Sequence, residues 1–419
     1  MGEDVLQQVT RLVLQLAVVL AAAKAGGEVA ERYLRVPGVL GEVVAGVLIG
    51  PFALGGFAFL GLGPLFPRPL PGGEPIRAIP FGLYLLGQAG AVVLLFYVGL
   101  ETDLRLFVRY LGPAFLVAAG GVLLPFLFGA GASQAFGYGA LGDPVPLFMG
   151  AIMAATSVGI TARVLAEIGK LQTPEGVTVL AAAVVDDVLG ILVLTIVVGI
   201  AATGQVTPSH IGVVALKAVG FWAGLTGLGL LLSRFISRAV GWFRTPGAAV
   251  ALALALAFLA AGVAEMAGLA MIIGAYSIGL ALSGSDLAKR VEKPLEGLYH
   301  ALVPIFFVVM GMLVDISAVR NALLFGLVIL FLAVVGKVVG CGLPALGTGF
   351  TPRGAVRVGV GMLPRGEVAL TIAGVGLARG LIGPEVFGVS ILMTLGTTLL
   401  AAPLLVPLFQ RGGPGVRRG

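Results

Sequence analysis

Long apolar runs recur from one end of the chain to the other, separated by short stretches that collect charged residues, Gly and Pro. A helix of about 20 apolar residues crosses the hydrocarbon core of a bilayer, and segmentation at that length predicts about thirteen spans. The approximate spans are 7–24, 36–53, 80–100, 111–136, 146–168, 176–202, 209–232, 247–266, 268–284, 297–317, 321–344, 354–379 and 385–409. The eighth and ninth spans have the least marked boundary, because only Glu265 and nearby Gly and Ala residues separate them.

The distribution of Lys and Arg orients these spans. Cytoplasmic connections of membrane proteins carry an excess of positive residues. If the N-terminus lies outside, most of the 26 Lys and Arg fall in inside connections or adjoining span ends, in clusters such as Arg234, Arg238 and Arg244. This predicts an outside N-terminus and a cytoplasmic C-terminus. The first apolar run follows Glu3 and Asp4, whereas a signal peptide begins with positive charge, so the run is predicted to be a retained helix.

Composition supports the membrane class and narrows the chemistry. Charged residues make up 11% of the chain and hydrophobic residues 58%, whereas soluble domains carry about 25% charged residues. The net charge of +6 is explained by the connections between spans, so no nucleic-acid partner is expected. The single cysteine excludes a disulfide framework and a multi-cysteine metal site, and the presence of two histidines argues against a His-rich metal site. We therefore predict an all-α polytopic membrane protein that has no cofactor and is not an enzyme.

Three charged residues fall deep within predicted spans: Asp186 and Asp187 in the sixth and Lys337 in the eleventh. A charge at the bilayer centre costs about 2.5–3.5 kcal/mol or more, so such a residue suggests function. Neighbouring helical residues point about 100° apart, so the two aspartates cannot both face one partner. One can pair with a lysine while the other faces a water-filled cavity, and their protonation is then coupled. Such a site holds either protons or a small hard cation; a purely structural ion pair remains the alternative.

Two further spans are predicted to contain interrupted helices. Residues 153–161 place Thr156, Ser157 and Gly159 in mid-span, and residues 361–367 place Pro364 beside charged residues. Proline removes an amide donor, and non-helical backbone at membrane depth is tolerated only beside protein or water. Transporters use such broken helices at midplane binding sites, one in each inverted repeat. The alternative is the ordinary Gly and Pro content of membrane helices.

An ordered set of motifs resembles the monovalent cation:proton antiporter family, in its bacterial NapA-like branch. The matching residues are 41–51, 99–103, 155–161, Asp186-Asp187, Phe306-Phe307 with Gly311, Lys337, and 364–367. They cover nearly the whole chain in the family's order. Each Gly-rich motif is weak alone, whereas the ordered set is specific.

The resemblance implies an NhaA-like fold with inverted repeats and two crossing broken helices. It implies that Asp187 is the main ligand of Na⁺, that Asp186 forms a salt bridge with Lys337, and that Thr156 lies close to the ion. An Asp-Asp pair with Lys is typical of electrogenic members. Ser157, Gly159, Pro364, Arg365 and Glu367 are expected to be structural residues of the broken helices, and the sequence assigns no partners to Arg365 or Glu367.

The resemblance also implies a homodimer with elevator-type motion of a core domain. By residue ranges, dimerisation helices are expected at 1–105 and 241–318, and core halves at 106–205 and 319–410. A linker helix is expected at 206–240, and a cytoplasmic tail at 411–419.

The predicted function is exchange of Na⁺ or Li⁺ for H⁺ across a bacterial inner membrane, in a homodimer surrounded by lipid, with a role in pH homeostasis. A Kef-like K⁺/H⁺ antiporter shares most of the motifs, but such proteins usually carry a long soluble nucleotide-binding domain that these short connections do not provide. A sodium-coupled symporter of similar fold is a more distant alternative, because it does not account for Lys337. An intramembrane aspartyl protease needs its aspartates on separate helices, and a passive channel needs no proton coupling.

Overall fold

The computed structural model describes residues 2–34, 36–57, 64–68, 79–203, 208–315 and 322–417. The regular elements of these residues are helices, and an isolated antiparallel bridge pairs Phe350 with Val416. The helices are α1 (Gly2–Val29), α2 (Gly38–Ile49), α3 (Phe81–Glu101), α4 (Leu104–Ala135), α5 (Pro144–Ala154), α6 (Val158–Glu167), α7 (Pro174–Thr203), α8 (Pro208–Trp242), α9 (Ala248–Met266), α10 (Met271–Leu282), α11 (Asp286–Met312), α12 (Leu323–Gly347), α13 (Pro352–Gly361), α14 (Glu367–Ala378) and α15 (Pro384–Gln410).

Each predicted span coincides with one helix or with a pair of half-helices. The fifth span is the pair α5 and α6, and the twelfth is the pair α13 and α14. The boundary between the eighth and ninth spans is present, because α9 ends at Met266 and α10 begins at Met271. Gly268 lies between them with φ +82°, a left-handed conformation that glycine adopts without strain.

Several helices extend beyond their predicted spans. Helix α11 begins at Asp286 rather than at residue 297, and α8 continues to Trp242 rather than ending at residue 232. These extensions carry charged residues such as Arg238 and Lys289. An apolar-length criterion locates the part of a helix inside the hydrocarbon core, whereas the helix itself continues into the interfacial region.

Eleven helices of the described residues are long and apolar enough to cross a membrane, counting α5 and α6 as one. Large apolar side chains point outward from the bundle, among them Leu231 at 82% exposure and Met266 at 89%. Exposure on this scale suits lipid rather than water. The chain is a multi-pass membrane protein.

Small residues let helices cross closely where the fold must position charges. A Cβ on Gly120 of α4 would overlap the carbonyl oxygen of Gly340 on α12. Between lipid-embedded helices, such close backbone contact supplies packing that hydrophobic burial cannot. Since Lys337 lies one turn before Gly340, this crossing fixes the approach of its side chain to α4.

Candidate ion-binding site

Helix α7 carries Asp186 and Asp187 among apolar residues, and both side chains are buried. The Lys337 Nζ of α12 lies 2.9 Å from Asp186 Oδ1. The ammonium also donates to the carbonyl oxygen of Gly121 at 2.8 Å and to that of Ala154 at 2.7 Å. Its three protons therefore all have acceptors, which offsets the cost of burying the charge.

The position of Ala154 explains part of this arrangement. Ala154 is the last residue of α5, where the helix is broken. Carbonyls at a helix C-terminus lack intrahelical partners and carry the negative end of the helix dipole. The ammonium of Lys337 thus binds both a carboxylate and the end of a half-helix.

The two interrupted stretches contact each other through backbone atoms. The Ser157 N–H donates to the Pro364 carbonyl oxygen at 2.9 Å. A Cβ on Gly366 would lie 2.7 Å from Ser157 Oγ, so a larger residue there would force the two segments or the serine side chain to shift. The breaks at 155–157 and 362–366 therefore form one crossing in the interior of the bundle.

Arg365 connects the ends of both half-helices. Its guanidinium is fully buried and donates to the carbonyl oxygens of Met153 and Leu363, each at 2.7 Å. The Thr398 hydroxyl of α15 donates to the Arg365 carbonyl oxygen at 2.7 Å. Arg365 thus supplies a second cation to the C-terminal end of α5, beside Lys337.

Asp187 lines a cavity of about 350 Å³. Around the cavity lie side chains of α3, α7, α9, α10, α11 and α14; its polar members include Gln88, Glu265 and Thr371. Glu265 and Gly268 are exposed, so the cavity reaches the surface at the turn between α9 and α10. Most of the lining is apolar, so the Asp187 carboxylate and the few polar side chains are the oxygen ligands available there to a hydrated or partly dehydrated cation.

A second charged cluster lies toward the opposite face. Arg163 of α6 is buried, with its Nε 2.6 Å from Glu167 Oε1 and its Nη2 3.8 Å from Glu42 Oε1 of α2. Its guanidinium also lies 4.9 Å from the ring centroid of Tyr299 on α11. Because successive spans alternate in direction, the C-terminal ends of α6 and α9 lie at opposite faces. The Arg163 cluster therefore joins α6 to α2 and α11 at the end away from the cavity.

A family model described as "Sodium/hydrogen exchanger, transmembrane" matches residues 17–411. This chain belongs to the sodium/hydrogen exchanger family. The high-affinity Na⁺/H⁺ antiporter NhaS3 of Synechocystis sp. is 36% identical, over 95% of this chain and 90% of the relative. The Na⁺/H⁺-K⁺ antiporter GerN of Bacillus cereus is 34% identical, over 93% of this chain and 94% of the relative.

A solved structure of the family's fold agrees with the architecture. The sodium proton antiporter MjNhaP1 of Methanocaldococcus jannaschii matches with a TM-score of 0.72 at 18% identity, covering 96% of this chain and 99% of that one. Membership of the antiporter family, expected from the motifs, is confirmed. The predicted all-α antiporter fold is confirmed as well.

In this family member the structure brings most predicted site residues to one region. Asp186, Lys337, Ser157, Pro364 and Arg365 meet at the crossing, as described above. Thr156 is buried in the break between α5 and α6, and its hydroxyl has no hydrogen-bond partner within the described part of the chain. A Cβ on Gly159 would lie 3.5 Å from the ring of Phe306, so α6 packs there against α11. Glu367 begins α14, and its side chain lies outside the described structure.

Some residues of the region were not singled out from the sequence. Glu265 served only as a marker between two spans, yet it lines the cavity beside Asp187. Thr398 gave one available signal, a hydroxyl within an apolar helix. The carbonyls of Gly121, Met153 and Ala154 gave none, because every residue has a carbonyl.

Proposed function

We propose that this chain exchanges Na⁺ for H⁺ across a membrane, with the Asp187 carboxylate as the cation ligand. The observation that carries the proposal is the placement of Asp187 in a cavity that reaches one face, next to an aspartate already paired with lysine. Family membership and relatives named as Na⁺/H⁺ antiporters support the choice of ions. Li⁺ fits the same oxygen ligand.

Competition at Asp187 provides the coupling. A protonated carboxyl cannot bind a cation well, so arrival of Na⁺ displaces a proton, and arrival of a proton displaces Na⁺. Because Asp186 is the next residue, a cation at Asp187 also weakens the attraction between Asp186 and Lys337. Lys337 then releases a second proton, which makes the exchange electrogenic.

Access from alternate faces completes the cycle. The cavity leads from Asp187 to the α9–α10 turn, while the Arg163 cluster holds α6 against α2 and α11 at the other end. We propose an elevator-type movement in which the core segments 106–205 and 319–410 shift relative to 1–105 and 241–318. The chain would act as a homodimer in a bacterial inner membrane, with its N-terminus outside.

K⁺ is the second candidate ion. It is favoured by one observation, namely that the 34%-identical relative GerN is named a Na⁺/H⁺-K⁺ antiporter. A roomy cavity imposes little size selection by itself. A panel of Li⁺, Na⁺ and K⁺ in proteoliposomes with an imposed pH gradient distinguishes the candidates.

The test of the site is Asp187→Asn in the same proteoliposomes. We expect loss of Na⁺ exchange driven by the pH gradient, because an amide cannot alternate between proton and cation. Asp103→Asn is the matched control, since Asp103 is an exposed N-cap of α4 and asparagine caps equally well. Undiminished exchange in Asp187→Asn would sink the site assignment, and a rate insensitive to membrane voltage would sink the electrogenic assignment.

A further inference from the structure

A polar cleft of about 560 Å³ lies between the last turns of α8 and the turn that joins α10 to α11. Its side chains are Arg234, Ser237, Arg238, Ser285, Asp286 and Arg290. It is distant in the chain from the aspartates of α7, and none of its residues takes part in the proposed exchange.

The cleft is strongly positive. Arg234 and Arg238 lie one helical turn apart on α8, and Arg290 reaches across from α11. The Arg290 Nη1 lies 3.3 Å from the position that a Cβ on Gly241 would occupy, so its guanidinium packs on the backbone of α8. Asp286 is the one carboxylate of the cleft.

In the described part of the chain, the donors of this cleft lack protein acceptors. Within the described residues, no ion pair or hydrogen bond occupies the guanidinium of Arg234, Arg238 or Arg290. The Ser237 hydroxyl, on the same wall, likewise has no hydrogen-bond partner there. Arginine forks and a hydroxyl converging on one space match the oxygens of a phosphate group.

The apolar face of α8 beside the cleft indicates whether the phosphate belongs to a lipid or is free in solution. Leu231, Phe235 and Trp242 lie on the same end of α8 as Arg234 and Arg238, and their side chains are 82%, 66% and 79% exposed. Tryptophan and other aromatic residues concentrate at the depth of lipid headgroups. A phosphate bound in the cleft therefore lies beside an apolar surface that suits acyl chains, whereas a free phosphate would leave that surface uncovered.

We propose that this cleft binds the phosphate headgroup of an anionic phospholipid, with Arg234, Arg238 and Arg290 as its ligands and the acyl chains along Leu231, Phe235 and Trp242. The bound lipid joins the end of α8 to the start of α11. A zwitterionic lipid carries its own cation beside the phosphate and competes less well for the three arginines.

The chain's two tryptophans, Trp222 and Trp242, provide a direct reporter. In Trp222→Phe, the remaining fluorescence comes from Trp242 beside the cleft. The full-length variant is placed in phosphatidylcholine nanodiscs, and phosphatidylglycerol or phosphatidylcholine with brominated chains is added in increasing fraction. Half-maximal quenching is expected at a lower fraction of brominated phosphatidylglycerol than of brominated phosphatidylcholine. The ratio of these two fractions, which measures the preference, should fall roughly fivefold for each arginine replaced by glutamine.

Matched variants separate the cleft from general surface charge. Lys289→Gln, an exposed neighbour on α11 that does not line the cleft, should keep the preference. The combined Arg234→Gln, Arg238→Gln, Arg290→Gln variant should lose it while brominated phosphatidylcholine still quenches Trp242, which shows that the helix remains folded in lipid. Equal quenching by the two lipids in the parent, or an intact preference in the triple variant, overturns the proposal. Loss of the preference on adding millimolar inorganic phosphate would assign the cleft to soluble phosphate instead.

Discussion

Asp186 and Asp187 are neighbours on α7, yet their surroundings differ. On one side of the helix, the Asp186 carboxylate meets Lys337, whose remaining protons are bound by the carbonyls of Gly121 and Ala154. On the other side, Asp187 lines a cavity of about 350 Å³ that reaches the surface near Glu265. The packed side holds the broken helices together, and the cavity side leaves room for an exchangeable ion. Identical side chains thus have different surroundings, and the roles proposed for them differ for that reason.

Substitutions on the packed side, around Asp186 and Lys337, should lower the stability of the protein more than substitutions on the cavity side. Lys337→Met removes the ammonium and leaves the Asp186 carboxylate and two backbone carbonyls without their donor. Breaking a buried ion pair by removing one partner costs about 3–5 kcal/mol, so the free energy of unfolding should fall by that amount. Thermal unfolding of the detergent-solubilised protein measures it.

A second variant checks the cause. Adding Asp186→Asn to Lys337→Met removes the uncompensated charge, so most of the lost stability should return. If the double variant is as unstable as Lys337→Met alone, the carboxylate is not the source of the loss.

The Arg163 cluster provides a packed region at the other end of the proposed pathway. Arg163→Gln removes the charge that pairs with Glu167 and Glu42, and hydrogen bonds to charged groups contribute roughly 1.5–3 kcal/mol. The unfolding free energy should fall by about that much, with Arg105→Gln, an exposed arginine of α4, as the unaffected control. An unchanged melting temperature would show that α6 is held at that end by apolar packing alone.

The cavity side should respond to ions rather than to packing. Asp187→Asn should change the unfolding free energy in Na⁺-free buffer by no more than about 1 kcal/mol. In the native chain, Na⁺ at ten times its Kd should add about 1.4 kcal/mol, and this gain should vanish in the variant. Melting curves in NaCl and in choline chloride measure it.

Protons should compete with this stabilisation. The Na⁺-dependent gain should shrink as pH falls, because a protonated carboxyl no longer binds the cation. A Na⁺-dependent gain that survives in Asp187→Asn would place the ion elsewhere.

The smallest effect is expected at the mouth of the cavity. Glu265→Gln removes an exposed carboxylate that attracts cations from solution, and apparent Na⁺ affinity should fall no more than about threefold at low ionic strength. Added choline chloride should erase the difference, since salt screens exposed charges. A larger loss that persists at high salt would make Glu265 a direct ligand.

Much of the fold could be predicted from the sequence because lipid imposes a simple rule on helix length. The rule located every span, including the weakly marked division at Glu265. The rule misplaced the start of α11, because it counts only apolar residues, whereas residues 286–296 are helical and polar. Pro364 and the hydroxyl-rich stretch around Thr156 correctly marked the two breaks. Few residue types favour non-helical backbone inside the membrane, so proline and clustered hydroxyls are informative there.

The candidate site was less accessible to sequence reasoning. Asp186 and Lys337 stand out as charges in apolar spans, but nothing in their spacing shows that their side chains meet, and only the family resemblance predicted their salt bridge. The partners of Arg365 are the carbonyls of Met153 and Leu363, and a carbonyl acceptor leaves no mark in a sequence. The sequence does not show that Arg163 pairs with Glu42, because that pairing depends on how α2 packs against α6.

The bond between the Ser157 amide and the Pro364 carbonyl has an evolutionary consequence. Main-chain atoms make this bond, so substitution of most surrounding side chains leaves its donor and acceptor in place. A scaffold fastened in this way tolerates extensive sequence drift, in keeping with a shared architecture at 18% identity. Under the proposed function, the cation that such a protein handles depends instead on a few side chains around the cavity. Ion preference is therefore free to diverge among descendants while the crossing that supports it persists.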